Sequence, residues 1–285
     1  MAGSNHLWPK STPSAPLTNP PLSPNTGRGI LTTREKESYS IHSVENALDV
    51  LEALCDEPDE VQISRLSEKL GMTKTSVFRL LATFENRGYV EREEQSGRYR
   101  LGISAFEVGQ KLLSRMHLLR DARPVMDMLV RNCQESVYLV IQRGTDALFL
   151  EKVETPQQVK IASLVGRRYP LHASSAGRIF LAHQTDSELK KYPVTDVLDL
   201  NELKEIRECG WSRGQNELGE GVASLSAPLL NSGGGVAGSL CFVLPDYRIN
   251  KELLEGLLLP NLINAGHTIS SKLGYLGHYL RREMA

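Results

Sequence analysis

The chain has no apolar run approaching the roughly 18 residues that a membrane span requires. It also has no excess of positive charge: 33 Lys and Arg stand against 34 Asp and Glu, a formal net charge of -1. The first absence argues against a membrane-spanning helix. The second means that no global basic field advertises a polyanionic partner, so any such surface must be local. Cysteine is scarce, and Cys55, Cys133, Cys209 and Cys241 are far apart with no CxxC pair. That spacing suggests neither a disulfide framework nor a zinc ribbon, and it fits a reducing cytoplasm. No GxSxG elbow, HExxH, P-loop or sequence-local triad is present, so no hydrolase, metalloprotease or nucleotide-binding signature announces an enzyme.

What is present is the composition of a globular protein: 285 residues, 40% apolar and 24% charged, with room for two domains that each bury a core. Residues 1–39 hold six of the fourteen prolines and almost no apolar periodicity, and are expected to be a disordered tail. Leu7 and Trp8 are followed at once by Pro9 and Lys10, which interrupts any secretory h-region.

From Ser43 the pattern becomes helical. Val44, Ala47, Leu48, Leu51 and Leu54 recur at three and four residue steps, with Ser43 as the expected N-cap and a break after Cys55. Ile63, Leu66 and Leu70 form a second stripe closed by Gly71. Thr73 then caps a third helix whose Val77, Leu80, Leu81 and Phe84 share one face, with Gly88 at its far end. Two helices joined by about three residues containing Gly have the form of a helix-turn-helix. Val90 and Tyr99 lie in two short extended pieces around a Ser96-Gly97 turn, a β-hairpin that would make the unit a winged helix.

At about 100° per residue, Thr75, Ser76, Phe78 and Arg79 project opposite the apolar face of the third helix, with Lys74 at its amino end. These residue types suit a DNA major groove. Arg grips guanine bidentately, Lys, Ser and Thr hold phosphates, and an apolar group touches a thymine methyl. The competing reading is a solvated helix face; the order of three helices, Gly turn and basic hairpin favours DNA. Glu91, Glu93 and Glu94 temper the wing unless they face away. The candidate DNA contacts are Ser43, Lys74, Thr75, Ser76, Phe78, Arg79, Arg98 and Arg100.

Residues 103–133 carry a further helical signal interrupted by Pro124, which predicts a linker helix over 103–118 and a new helix after the proline. Beyond it, 137–143 with 147–154 and 221–230 with 235–244 read as two hairpins, and 159–165 as a further candidate strand. Helical segments are expected near 174–184, 186–191, 199–210 and 249–276. Strands and helices without strict alternation predict an α+β domain over 119–280, behind a DNA-binding unit over 40–102.

SVENALDVLEAL, ISRLSEKLGMTKTSVFRLLATFENRGYV and GRYRLGISAFEVGQKLL together resemble the amino-terminal half of the isocitrate-lyase-regulator (IclR) family of bacterial transcription factors. RRYPLHASSAGRIFLA (167–182) and ECGWSRGQNELGEGVASLSAP (208–228) resemble that family's two carboxy-terminal signatures, in the same order. The resemblance implies a two-domain protein: a winged helix-turn-helix, a linker helix, and a GAF-like effector-binding domain. It further implies a homodimer or homotetramer on a palindromic DNA operator, modulated by a small organic acid or aromatic catabolite. A cytoplasmic repressor is expected, with no enzymatic activity, cofactor, metal or membrane partner. The alternatives are an activator of the same family or an enzyme with a DNA-binding tether.

In HASSAG, a strand ending at Leu171 and His172 turns at Ser174 into a helix, whose free backbone N–H groups, beside the small side chains of Ser175 and Ala176, suit a carboxylate. An ordinary capped helix with close packing at Gly177 is the alternative. His172 lacks a second ligand at HxH or HxxE spacing and is expected to be structural. By resemblance, the family's pocket falls here on Gly214, Ser224, Cys241 and Val243. The family often has an acidic residue where this chain has Gly214 and a small polar one where it has Val243, which implies a less polar cavity. Ile161 and Tyr169 are expected to wall it.

Overall fold

The computed structural model describes residues 40–57, 59–190, 192 and 199–277. The tail expected over 1–39 lies outside them. Two compact units divide between Arg123 and Pro124.

In the first unit, α1 (His42–Cys55), α2 (Ile63–Leu70) and α3 (Lys74–Asn86) precede a hairpin of β1 (Val90–Arg92) and β2 (Tyr99–Leu101). The end of α2 is set by Gly71, which adopts φ 64° in the left-handed region that glycine enters without steric cost. Thr73 then caps α3, its Oγ1 accepting from the Ser76 amide at 3.2 Å. One stripe of each helix is buried: Val50, Ala53 and Leu54 from α1, Leu66 from α2, and Val77 and Leu81 from α3 meet Val90 and Tyr99 of the hairpin. Full burial of such side chains contributes about 1.5–3 kcal/mol each. Val61 bridges Tyr99 through two backbone hydrogen bonds of 2.9 and 2.8 Å, which ties the α1–α2 connection to the wing.

Ser43 does not cap α1. The cap position is Ile41, two residues earlier, whose carbonyl accepts from Val44 and Glu45 at 2.8 and 3.1 Å. A side-chain cap is worth only about 1 kcal/mol, which packing readily overrides. Pro124 also behaves differently from expectation. The chain breaks at Arg115–Met116, between α4 (Ile103–Ser114) and α5 (His117–Cys133), and Pro124 sits inside α5. There it forgoes one helical hydrogen bond. The buried stripe of Ala122, Val125, Met126, Leu129 and Val130 holds the helix through it.

The second unit is built on a six-stranded antiparallel sheet in the order β5-β4-β3-β8-β7-β6. Its strands are β3 (Ser136–Arg143), β4 (Asp146–Val153), β5 (Arg168–Pro170), β6 (Ser212–Gln215), β7 (Val222–Leu230) and β8 (Val236–Pro245). The expected hairpins are β3–β4 and β7–β8, and β7 and β8 are buried along almost their whole length because helices cover both faces. On one face lie α6 (Ser175–Ala182) and α8 (Leu200–Cys209), with the short α7 (Asp186–Leu189) between them in sequence. On the other, α9 (Lys251–Leu253) runs through a π-helical turn (Leu254–Leu258) into α10 (Leu259–Lys272), and Ser270 Oγ accepts from the Leu230 amide at 2.9 Å.

The strand expected at 159–165 does not form. The edge of β4 is instead paired with Arg168–Pro170, and the Leu164 amide is taken by the Tyr138 hydroxyl at 3.4 Å, leaving 159–165 irregular with Val159 and Val165 exposed. The observed class is the expected one, a winged helix-turn-helix followed by an α+β domain, and the curled sheet is consistent with a GAF-like fold.

Candidate functional site

Burying Val77 and Leu81 forces the opposite side of α3 outward, and Lys74, Thr75, Ser76, Phe78 and Arg79 are all exposed. Phe78 leaves 47% of its surface open, large for an aromatic side chain on a helix whose core is filled. Lys74, Thr75 and Phe78 line a groove of about 560 Å³ whose other walls include Gln62, Ser64, Arg92 and Ser96. The groove therefore joins the first turns of α2 and α3 to the wing.

The hairpin register decides which wing cations face it. Glu91 pairs with Arg100 and Arg92 with Tyr99, so by strand alternation the two pairs lie on opposite faces. Arg92 stacks 5.7 Å from the Tyr99 ring and reaches the groove. Arg100 lies on the other face, held by Glu91 at 3.0 Å and Glu60 at 3.3 Å. Arg98 is exposed in the turn and Ser43 in the first turn of α1; neither lines the groove. Arg92 was missed in the sequence because its acidic neighbours obscured it, although alternation from buried Val90 would have placed it. At the wing tip, the Ser96 hydroxyl and amide hold the Glu93 carboxyl below its usual range, so it stays anionic there.

In the second unit, strand pairing collects the other predicted residues. Gly214, Ser224 and Val243 form one row across β6, β7 and β8; Ser212, Ser226 and Cys241 form the next. Both rows meet the amino end of α6. Ser175 Oγ lies 2.7 Å from Ser224 Oγ and 2.8 Å from Ser226 Oγ, and all three hydroxyls are buried. Cys241 is fully buried beneath them, and burial pushes its thiol up to about 12, so it is inert at neutral pH. Ser212 Oγ has no hydrogen-bond partner among the described residues. Ala176 and Val243 are buried, while Ile161 and Tyr169 pack from the side as half-buried walls, Tyr169 edge-on to Phe149 at 5.5 Å.

Ser174 caps α6, accepting from the Gly177 amide at 3.1 Å, and Gly177 lies against the Leu171 backbone too closely for any side chain. The Ser175 amide, free of helical partners, donates to Glu217 Oε2 at 3.0 Å. Glu217 Oε1 is 2.6 Å from Arg178 Nη1, and Arg178 also lies 3.0 Å from Glu202 and donates to the Arg213 carbonyl at 2.6 Å. Burial pushes the Glu217 carboxyl above its usual range, against the pull of Arg178. Sequence reasoning missed Glu217, Arg178, Ser212 and Ser226. Only strand register and the fold of the 216–221 loop reveal them. His172 is half-buried, its carbonyl accepting from Arg178, and burial lowers its basicity. No cluster of three metal-ligating side chains occurs among the described residues.

Two family models match the chain: the IclR helix-turn-helix domain over residues 43–94 and the bacterial transcriptional regulator IclR C-terminal domain over residues 110–271. The chain is 29% identical to the HTH-type transcriptional regulator KdgR of Escherichia coli K12 over 255 residues, covering 85% of this chain and 96% of that one. The IclR transcriptional regulator structure from Alicyclobacillus acidocaldarius superimposes with a TM-score of 0.73 at 25% identity, covering 83% of this chain and all of the other. An IclR homologue from Microbacterium hydrocarbonoxydans, solved with 4-hydroxybenzoate, shares the fold with a TM-score of 0.68 at 23% identity, covering 81% of this chain and 98% of that one.

Proposed function

The chain belongs to the IclR family of bacterial transcriptional regulators, which are DNA-binding proteins, and from that premise we propose that it is a repressor whose grip on an operator is set by a small organic or aromatic acid in the second domain. The observation that carries the DNA reading is the exposed face of α3 beside a groove that also holds Arg92. Arg79 is assigned to base edges, Lys74 and Arg92 to phosphates, and Thr75, Ser76 and Phe78 to the groove wall. On the ligand side, the support is a buried serine cluster at a helix N-terminus with one unsatisfied hydroxyl, Ser212.

A palindromic operator would match a two-fold homodimer or a tetramer of such dimers. In support, α4 buries none of its residues and leaves Ile103, Phe106, Val108 and Leu112 53 to 63% exposed, an apolar surface that a second copy would cover. The same helix belongs to the expected linker over 103–118, between a DNA-binding unit at 40–102 and an effector domain at 119–280. Control by ligand then requires that the acid bind one arrangement of the dimer better than the other, since equal affinity shifts nothing.

The test is a thermal-shift screen of small acids, with 4-hydroxybenzoate among the first because a protein of the same fold was solved with it, followed by operator release. Stabilisation by a hit at about 100 times its Kd is expected to reach about 2.7 kcal/mol. A hit that raises the melting temperature and lowers operator affinity supports the reading; a broad screen without any shift opposes ligand control.

A further inference from the structure

We propose that Glu217 is a resident carboxylate seated where the carboxylate of an acidic effector has to bind, so that such an effector reaches the N-terminus of α6 only by displacing it. The inference deepens the effector reading above and rests on it.

A helix N-terminus concentrates partial positive charge and unpaired amides, and it is best satisfied by an anion. Here the anion is the chain's own: the Ser175 amide and the Arg178 guanidinium hold the two Glu217 oxygens at 3.0 and 2.6 Å. The seat exists because residue 214 is glycine. A Cβ at Gly214 would fall inside the Glu217 carboxylate and lie 2.5 Å from Ser224 Oγ, so any side chain there has to push both aside. Gly214 thus marks the place of the Glu217 side chain in the row with Ser224 and Val243.

Ser212 supplies an independent sign that a ligand belongs on this face. It lies two residues before Gly214 on the same side of β6, 2% exposed, with its hydroxyl unpartnered among the described residues and its register partner Ser226 beside it. A hydroxyl buried so fully is expected to have a partner, and a bound molecule at the serine cluster provides one. Displacement is structurally allowed. Glu217 sits in the loop between β6 and β7, where Asn216, Gly219 and Gly221 all have positive φ and no strand pairing fixes the backbone of 217 itself. Arg178 would keep Glu202 and the Arg213 carbonyl after Glu217 leaves.

The consequence is a threshold. If the carboxylate occupies its seat about nine-tenths of the time, the apparent affinity for an acid is about tenfold weaker than that of the open site. The experiment is calorimetric titration of the full chain, its Glu217→Ala variant and its Gly214→Ala variant with acetate, lactate, benzoate and 4-hydroxybenzoate, with benzamide as an uncharged control. Gly214→Ala crowds the carboxylate without removing it but also presses on Ser224 Oγ, so tighter acid binding there supports the displacement, and Glu217→Gln takes the place of Glu217→Ala if that variant does not fold. The expected result is at least one acid binding about tenfold or more tightly to the altered protein than to the parent, with benzamide unchanged. Measurable acid binding that is equal or weaker in the Glu217 variant overturns the displacement idea alone. Absence of acid binding to all three proteins overturns it together with the effector reading.

Discussion

Replacing Arg79 by Ala separates base reading from fold and from simple charge. Arg79 is exposed on α3, where its backbone carbonyl accepts from Thr83 Oγ1 at 2.9 Å. Surface truncation of this kind changes stability by less than about 0.5 kcal/mol. A bidentate Arg–guanine contact carries about 1–3 kcal/mol of discrimination. At 1.4 kcal/mol per tenfold, operator affinity should fall about 5- to 150-fold. The assay is fluorescence anisotropy with a labelled operator and a shuffled duplex of the same composition, at several salt concentrations. Arg79→Ala should narrow the gap between the two duplexes. Lys74→Ala should instead weaken both alike and lower the salt slope by about 0.9, the value of one phosphate contact. The assignment of the recognition face is refuted if Arg79→Ala keeps the parent's preference, or if both duplexes lose affinity in parallel.

The wing offers a paired comparison: Arg92→Ala should reduce the salt slope by about 0.9. Arg100→Ala should leave it unchanged and barely move the melting temperature, because two exposed ion pairs are all that it loses. Equal effects on DNA binding would contradict the split between the hairpin faces, and the opposite order would show them assigned in reverse. Leu81→Ala, at a fully buried position of α3, should destabilise the winged helix by about 2–5 kcal/mol in urea titration, and a cost under 1 kcal/mol would mean that α3 is not docked as described. Ellman's reagent should titrate two thiols in the native protein, Cys55 and Cys209, and all four after unfolding, since burial pushes Cys133 and Cys241 up to about 11 and 12. Four fast thiols would contradict a closed core in the second domain.

The helix-turn-helix was legible because its signals are local. The stripe of Val77, Leu81 and Phe84, the left-handed Gly71 and the Thr73 cap all lie within a few residues of what they control. Pro124 misled for the converse reason: its local cost is set against burial of α5, which no window of sequence contains. The short strands β5 and β6 were hard to see because three or four residues carry no period, and their pairing partners lie elsewhere in the chain. Sequence places Arg100 in a basic hairpin, whereas strand alternation turns it to the side of Glu60 and Glu91. Glu217 was the least legible of all. Its proposed role depends on a backbone seat at Ser175, 42 positions away, and on a side chain that Gly214 does not have.

The most direct measurement is a titration of the purified chain against the DNA immediately upstream of its own gene, beside a shuffled control, over 50 to 300 mM salt. Binding selective for the upstream DNA, weakening steeply as salt rises, is expected if Lys74, Arg79 and Arg92 contact phosphates and bases as proposed. Binding that is equal on both duplexes, or absent at the lowest salt, would contradict that proposal.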